Sequence, residues 1–216
     1  MNNLLLVIPA RKGSSFHRKN LKLLSGIPLI RYTLEASKIA LPHSTLVTTD
    51  DPYIFDECLS YNIIPDTRPE NLADDKATLD HVMFYIATNY IYDTYVCLPP
   101  TSPNRTKSHI EEAIKKFYDN KADSLISVTE ERKSIWSCDE DNFIRPLIER
   151  TKNRQQENPC YISNGAIFIS KRELILKNHK KASGRTILYL MDNESSVDVH
   201  NEQDIRLAEF YLKVKS

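Results

Sequence analysis

The chain is 216 residues long and 41% hydrophobic, and its 29 basic and 29 acidic side chains cancel. That length buries one substantial core, and no Pro/Gly/Ser-rich linker divides it, so a single domain over residues 1–216 is expected. Zero net charge argues against general binding to nucleic acid or to a membrane surface, since both need a one-signed face, and leaves small molecules as the expected partners.

The first predicted element is the apolar run LLLVI (4–8), which ends at Pro9. A short, fully apolar run is the signature of a parallel strand covered on both faces. It is too short for a secretory core or a membrane span, so a cytoplasmic chain is expected. The loop that follows, ARKGSSFHRKN, gathers Arg11, Lys12, Arg18 and Lys19 with His17 and one glycine. Ligands of open α/β sheets sit beyond the carboxyl ends of such strands, which makes this loop a candidate polyphosphate site. Ser14, Ser15 and backbone N–H groups would bond phosphate oxygens while Arg11, Arg18 and Lys19 neutralise them. The plain alternative is a solvated basic loop. Neither the Gly-Lys-Ser/Thr ending of a Walker A loop nor the three spaced glycines of a dinucleotide fingerprint occurs, so side chains must do most of the binding.

Pro28 opens a predicted helix with Leu29, Tyr32, Ala36 and Ile39 on one face, followed by the strand TLVTT (45–49). Asp51 and Pro52 read as the N-cap and first turn of a short helix through Leu59, after which Ile63 and Ile64 extend again. The loop 67–80 places Arg68, Asp74, Asp75 and Thr78 ahead of a helical stripe of Leu79, Val82, Met83, Ile86, Ala87 and Tyr90, and YVCL (95–98) is the next buried strand. LPPTSPNR (98–105) presents Thr101, Ser102 and Arg105 on a proline-stiffened turn. Ser108 with Glu111 reads as a capping box for a helix whose face is Ile110, Ala113, Ile114 and Phe117, before the strand SLISVT (124–129). This alternation is that of a doubly wound α/β fold with a mainly parallel sheet.

From 130 to 160 the period is lost, with Ile135, Trp136, Phe143, Leu147 and Ile148 scattered among polar residues. Such a stretch is a lid, an excursion with its own strands, or a docking arm, and Trp136 with its apolar neighbours suits an oligomer contact as well as a small flap. Order returns with Asn164 and Gly165 ahead of AIFIS (166–170), then TILYLM (186–191), a strand SVDV (196–199) and a last helix facing inward through Ile205, Ala208, Tyr211 and Leu212. Asp198 and His200, two apart in extended chain, share a face and form a candidate cation site. Mg2+ needs only one or two protein carboxylates when phosphates complete its shell; His200 is a poor direct ligand for Mg2+, acceptable for Mn2+, and otherwise suited to support a ligand or act as a base. The four cysteines form no CxxC pair and read as small buried hydrophobes.

The segments IPARKGSSFHRKNLKLLSGIPLI (8–30), VTTDD (47–51), RPENLADDKATLD (68–80), LPPTSPNRTKSHIEEAI (98–114), RQQENPCYISNGAIFI (154–169) and VDVHNEQDIRLAEF (197–210) stand in an order and spacing that resembles the acylneuraminate cytidylyltransferases, which activate nonulosonic acids. The resemblance spans most of the chain. It implies a Rossmann-like nucleotidyltransferase domain, usually a homodimer in which the 130–160 segment reaches the neighbouring active site. It also implies that CTP and a 2-keto sugar acid of sialic, legionaminic or pseudaminic type yield a CMP-sugar and pyrophosphate with Mg2+.

By the same resemblance, Arg11, Ser14 and Asn20 fall to the CTP phosphates and ribose, with Lys19 adding charge there. Arg68 and Thr78 fall near the base; Ser102, Arg105 and Asn164 near the sugar acid; and Asp198 is the first metal carboxylate. Against the family pattern, the first loop is one residue short between Arg11 and Lys19, and Ser15 replaces a basic residue. Pro99 replaces a glutamine and His200 the second metal aspartate. Two alternatives follow: a cytidylyltransferase for another acid such as 3-deoxy-manno-octulosonate, and a nucleotide-binding protein without turnover.

Overall fold

The computed structural model describes residues 3–13, 16, 18–40, 44–148 and 158–214; Ser14, Ser15, His17, the Ile39 side chain and residues 149–157 lie outside the described residues. The first half runs through β1 (Leu4–Pro9), a small clip of β2 (Leu23–Leu24) and β3 (Ile27–Pro28), α1 (Leu29–Ala40), β4 (Thr45–Thr49), α2 (Pro52–Ser60), β5 (Asp66–Thr67), α3 (Leu79–Asn89), β6 (Thr94–Cys97) and α4 (Lys107–Asp119). The second half adds β7 (Ser124–Glu131), β8 (Ile135–Cys138), β9 (Ile144–Ile148), β10 (Cys160–Lys171), α5 (Arg172–Asn178), β11 (Thr186–Leu190) and α6 (Glu202–Val214).

Seven strands form one sheet in the order β11-β7-β10-β6-β1-β4-β5. β1 pairs in parallel with β4 and β6, as do β4 with β5 and β7 with β11, while β10 runs antiparallel between β6 and β7. The apolar run of β1 is explained by its two faces. Leu4, Leu6 and Ile8 pack with Ile30 and Leu34 of α1 and Ile110 and Phe117 of α4, whereas Leu5 and Val7 pack with Val82, Met83 and Ile86 of α3. Burial on both sides removes the polar alternation that a one-sided strand would show.

Asp51 caps α2 as expected, its Oδ1 accepting from the Tyr53 N–H at 3.0 Å. Other expectations shift. The single stripe read for α1 is two faces: Ile30, Leu34 and Ala36 meet the sheet cluster, while Leu29 and Tyr32 meet Val199, Ile205 and Ala208 near α6. The box at α4 is made by Thr106 and His109, two residues before the Ser108/Glu111 pair, because the proline-rich turn lets the helix begin earlier. Ile64 is exposed and the paired edge strand waits until Asp66. Residues 196–199 are not a strand; a 3-10 turn over Glu194–Ser196 is followed by irregular chain whose Val199 N–H bonds the Thr101 carbonyl at 2.8 Å. Within 130–160, β8 and β9 pair with each other and, among the described residues, with no other strand, so the segment contains an excursion with its own strands. Cys58 and Cys97 are buried, but Cys138 on the excursion is exposed.

Candidate active site

The carboxyl ends of β1 and β6 open into a cleft of about 200 Å3 whose polar lining comes from Arg11, Lys19, Asn20, Arg68, Thr78 and Thr101. Sequence-local devices set each wall. Past Pro9, Ala10 continues the parallel ladder by donating to the Thr48 carbonyl, and the loop then folds into a 3-10 turn over Lys19–Leu21. The buried Asn20 amide donates to the Arg11 carbonyl at 3.0 Å, clamping the two ends of the loop together. The Lys12 N–H donates to Asp50 Oδ1 at 2.8 Å, anchoring the loop to the end of β4.

The opposite wall is shaped by Asp74, whose Oδ1 accepts from the Lys76 and Ala77 N–H groups and turns the chain toward Thr78, the N-cap of α3. Arg11 spans the mouth to this wall: Nη1 donates to the Asp74 carbonyl at 2.6 Å, and Nη2 lies 2.8 Å from Asp75 Oδ1. Asp75 is well exposed, so the pair orients the guanidinium more than it stabilises the fold.

The cleft is short of negative charge. Burial lowers the pKa of the Lys19 ammonium from its ordinary value, with Asp198 opposing that fall and Arg11 adding to it. Burial likewise brings the Arg68 guanidinium down to about 10; Asp50 is the largest opposing influence, and Arg11 again adds to the fall. Arg68 donates to the Thr48 carbonyl at 2.9 Å, while its buried Nε has no partner among the described residues. Two poorly solvated cations, Lys19 and Arg68, each repelled by the neighbouring Arg11, are what a polyanion would relieve.

Asp198 adjoins this group, being the first charge opposing the Lys19 shift. Its Oδ1 is buried with no hydrogen-bond partner among the described residues, and its Oδ2 lies 2.9 Å from His200 Nε2. Gly165, at φ 72°, passes so close that a Cβ there would stand 3.0 Å from Asp198 Oδ2, so this glycine keeps the carboxylate's space open. No cluster of three or more His, Cys, Asp or Glu able to hold a metal occurs among the described residues. The buried, unpartnered Oδ1 of Asp198 is the kind of single carboxylate donor that suits a hard cation whose other ligands are phosphate and water.

Other sequence-predicted residues sit elsewhere. Arg18, in left-handed conformation at φ 47°, stacks its guanidinium over Tyr53 at 4.5 Å and does not line the cleft. Arg105 is 2% exposed and spent on the protein: it donates to the carbonyls of Pro99 (3.1 Å) and Ala166 (2.7 Å) and to Thr33 Oγ1 (2.7 Å). The buried Asn164 accepts from Ser127 Oγ at 2.6 Å and donates to Ser196 Oγ at 2.8 Å, tying the β10 bulge to the turn ahead of Asp198. Ser102 is buried, and its hydroxyl has no partner among the described residues. Sequence reasoning missed Tyr53 and Asp50 as anchors of the loop after β1; VTTDD (47–51) entered it as a segment of the family resemblance and Asp51 as a helix cap.

Residues 5–213 match the model of a family described as Cytidylyltransferase. The chain is 32% identical to an N-acylneuraminate cytidylyltransferase of Escherichia coli, over 95% of this chain and 51% of that one. It is 31% identical to a CMP-N,N'-diacetyllegionaminic acid synthase of Legionella pneumophila, over 98% and 97%. The chain thus spans about half the length of the N-acylneuraminate relatives and nearly all of the legionaminic acid one. In fold it is similar to a CMP:2-keto-3-deoxy-manno-octonic acid synthetase solved with CTP, at TM-score 0.71 and 17% identity over the whole of both chains.

Proposed function

This chain belongs to the cytidylyltransferase family, and on that premise we propose that it transfers CMP from CTP to a nonulosonic acid of sialic, legionaminic or pseudaminic type, releasing pyrophosphate. The observation that carries the reading is the convergence of Arg11, Lys19 and Arg68 on one cleft beside Asp198. The relatives' names supply the acceptor class.

In the proposed reaction the anomeric hydroxyl of the sugar acid attacks the α-phosphorus in line. A new O–P bond forms as the hydroxyl proton passes to water, the α–β phosphoanhydride bond breaks, and pyrophosphate departs with the bonding electrons. Arg11 and Lys19 hold the phosphates and meet the charge that grows on the leaving group, at a site where burial makes each contact stronger than in water. Arg68 and Thr78 line the same cleft and would hold the rest of the nucleotide. Such positioning contributes on the order of 7–11 kcal/mol when reacting groups are well aligned, so no covalent enzyme intermediate is needed. Asp198 would hold Mg2+ or Mn2+ through Oδ1 and His200 would steady it through Oδ2; the ion's part is to neutralise phosphate charge. Arg105 and Asn164 serve by fixing the walls on which Thr101 and Asp198 sit.

The partners of this reading are CTP, the sugar acid and a second copy of the chain. Trp136, Phe143, Ile144 and Leu147 on the β8–β9 hairpin are all exposed, and an apolar patch of this kind marks an interface. No helix among the described residues is long and apolar enough to cross a membrane, and a cytoplasmic setting, which keeps thiols reduced, suits an exposed Cys138.

The test is pyrophosphate release with CTP and Mg2+ or Mn2+ against N-acetylneuraminate, legionaminate, pseudaminate and 3-deoxy-manno-octulosonate. Release that requires CTP and one of the three nonulosonic acids is expected. Release with 3-deoxy-manno-octulosonate alone would reassign the acceptor, and CTP binding without release from any acid would contradict transfer.

A further inference from the structure

A second cavity, about 400 Å3, opens between the first turn of α3, the α5–β11 loop and strands β7 and β10. Its floor is apolar, made by Ile126 and Phe168, and Ser163, Asp80, Lys181 and the exposed Lys180 supply polar groups around it. It lies beside the nucleotide cleft along the same edge of the sheet. Thr78 and Leu79 line the first cavity and Asp80 the second. The Cys97 thiol at the end of β6, pushed up to about 12 by burial, feels both Lys181 and Arg68.

Lys181 is held as few loop lysines are. Its backbone N–H donates to Asp80 Oδ1 at 2.9 Å, its Nζ lies 3.2 Å from the same oxygen, and the ammonium sits 5.3 Å from the centre of the Phe168 ring. A mobile surface lysine acts as a solvated point charge, whereas this one is oriented and its charge is compensated by Asp80. It therefore offers fixed N–H donors with little net charge, beside an aromatic floor that takes the C–H face of a sugar. That combination selects a neutral oxygen and penalises an apolar group left against the unpaired donor.

We propose that Lys181, set in place by Asp80, is a specificity-determining residue that donates to a neutral oxygen, a hydroxyl or an acylamido carbonyl, on the part of the sugar acid remote from the reacting hydroxyl. This rests on the transferase reading above. That reading puts the reacting hydroxyl at the nucleotide cleft and so directs the remainder of the acid along the sheet edge into this cavity.

The experiment uses the acid that wild-type protein handles best among N-acetylneuraminate, legionaminate and pseudaminate, together with analogues in which one oxygen-bearing substituent at a time is replaced by hydrogen. Lys181→Met keeps length and packing but removes the donors; Asp80→Asn keeps an oxygen for the Lys181 backbone and removes the charge that orients the ammonium. For Lys181→Met we expect kcat/KM for the full acid to fall about tenfold or more, kcat/KM for one analogue to stay within about twofold, and KM for CTP to be unmoved. Asp80→Asn should give a smaller loss on the same acid and not on that analogue. Equal losses on every acid, or no loss, would overturn the assignment. Should wild-type protein release no pyrophosphate, the transferase reading fails. Calorimetric binding of the same acids in the presence of CTP then decides the site: acid binding weakened by Lys181→Met sustains it, and equal or absent binding overturns it.

Discussion

Arg105 illustrates how a residue's type can mislead about its role. In a Thr-Ser-Pro-x-Arg turn beyond a buried strand, a guanidinium reads as a hand held out to an anion. Instead it is inside, its pKa brought down to about 10 by burial, and its donors join the loop after β6, strand β10 and helix α1. The tie is worth its desolvation because the carbonyls it satisfies would otherwise be orphaned. Arg105→Met leaves three acceptors unpaired at about 1–3 kcal/mol each, partly offset by removing a buried charge, so a net loss of about 3 kcal/mol is expected. At about 2–4 °C per kcal/mol for a chain of this size, Tm should drop by roughly 6–12 °C, and Arg105→Lys, lacking the planar fork, should recover little of it. A Met variant with wild-type Tm and a raised KM for the acid would show a direct substrate contact instead.

The bulge of β10 links the sheet to Asp198. Gly165 adopts φ 72°, where a side chain is strained, and its missing Cβ leaves room for the carboxylate. Gly165→Ala is expected to cost about 1–2 kcal/mol from backbone strain and to displace Asp198. In a metal titration of activity it should raise the Mg2+ concentration needed for half-maximal rate several-fold more than it lowers the saturated rate. An unchanged metal response would separate Asp198 from the metal.

These elements also show what could be read in advance. β1, β6 and α3 were legible because two-sided burial leaves an uninterrupted apolar run or a clean stripe. The Asp51 cap was legible because an aspartate followed by proline has few other local uses. The α4 cap was misplaced by two residues because Thr106 with His109 builds a box that the Ser/Thr-x-x-Glu pattern does not describe. The strand expected at 196–199 is absent because the Val199 N–H goes to a loop carbonyl, that of Thr101, instead of to a strand. Of the site, Arg11 and Lys19 were found by charge and loop position and Asn20, Arg68 and Thr78 through the resemblance, and the structure brings all five to one cleft. Lys181 was invisible because its meaning depends on Asp80 and Phe168, which are far from it in sequence.

For the molecule as a whole, cancelling charges conceal a local grouping: Arg11, Lys19 and Arg68 gather at one edge of the sheet, with Asp75 and Asp198 as neighbours. The β8–β9 hairpin, paired to no other strand among the described residues, carries exposed apolar side chains. Replacing Phe143 and Leu147 together by Asp should convert a dimer to a monomer in sedimentation experiments while leaving Tm within about 2 °C, since exposed positions contribute little to the fold. A wild-type monomer at micromolar concentration would remove the second copy from the account.

The most direct measurement is kcat/KM for CTP in pyrophosphate release, comparing wild type with Arg11→Ala and Lys19→Ala, alongside their melting temperatures. Loss of at least about 100-fold in each variant is the expected result, with Tm little changed, since Arg11 gives up only a pair with an exposed aspartate and Lys19 a charge that burial disfavours. Wild-type kcat/KM in both variants would contradict a phosphate cradle at the end of β1.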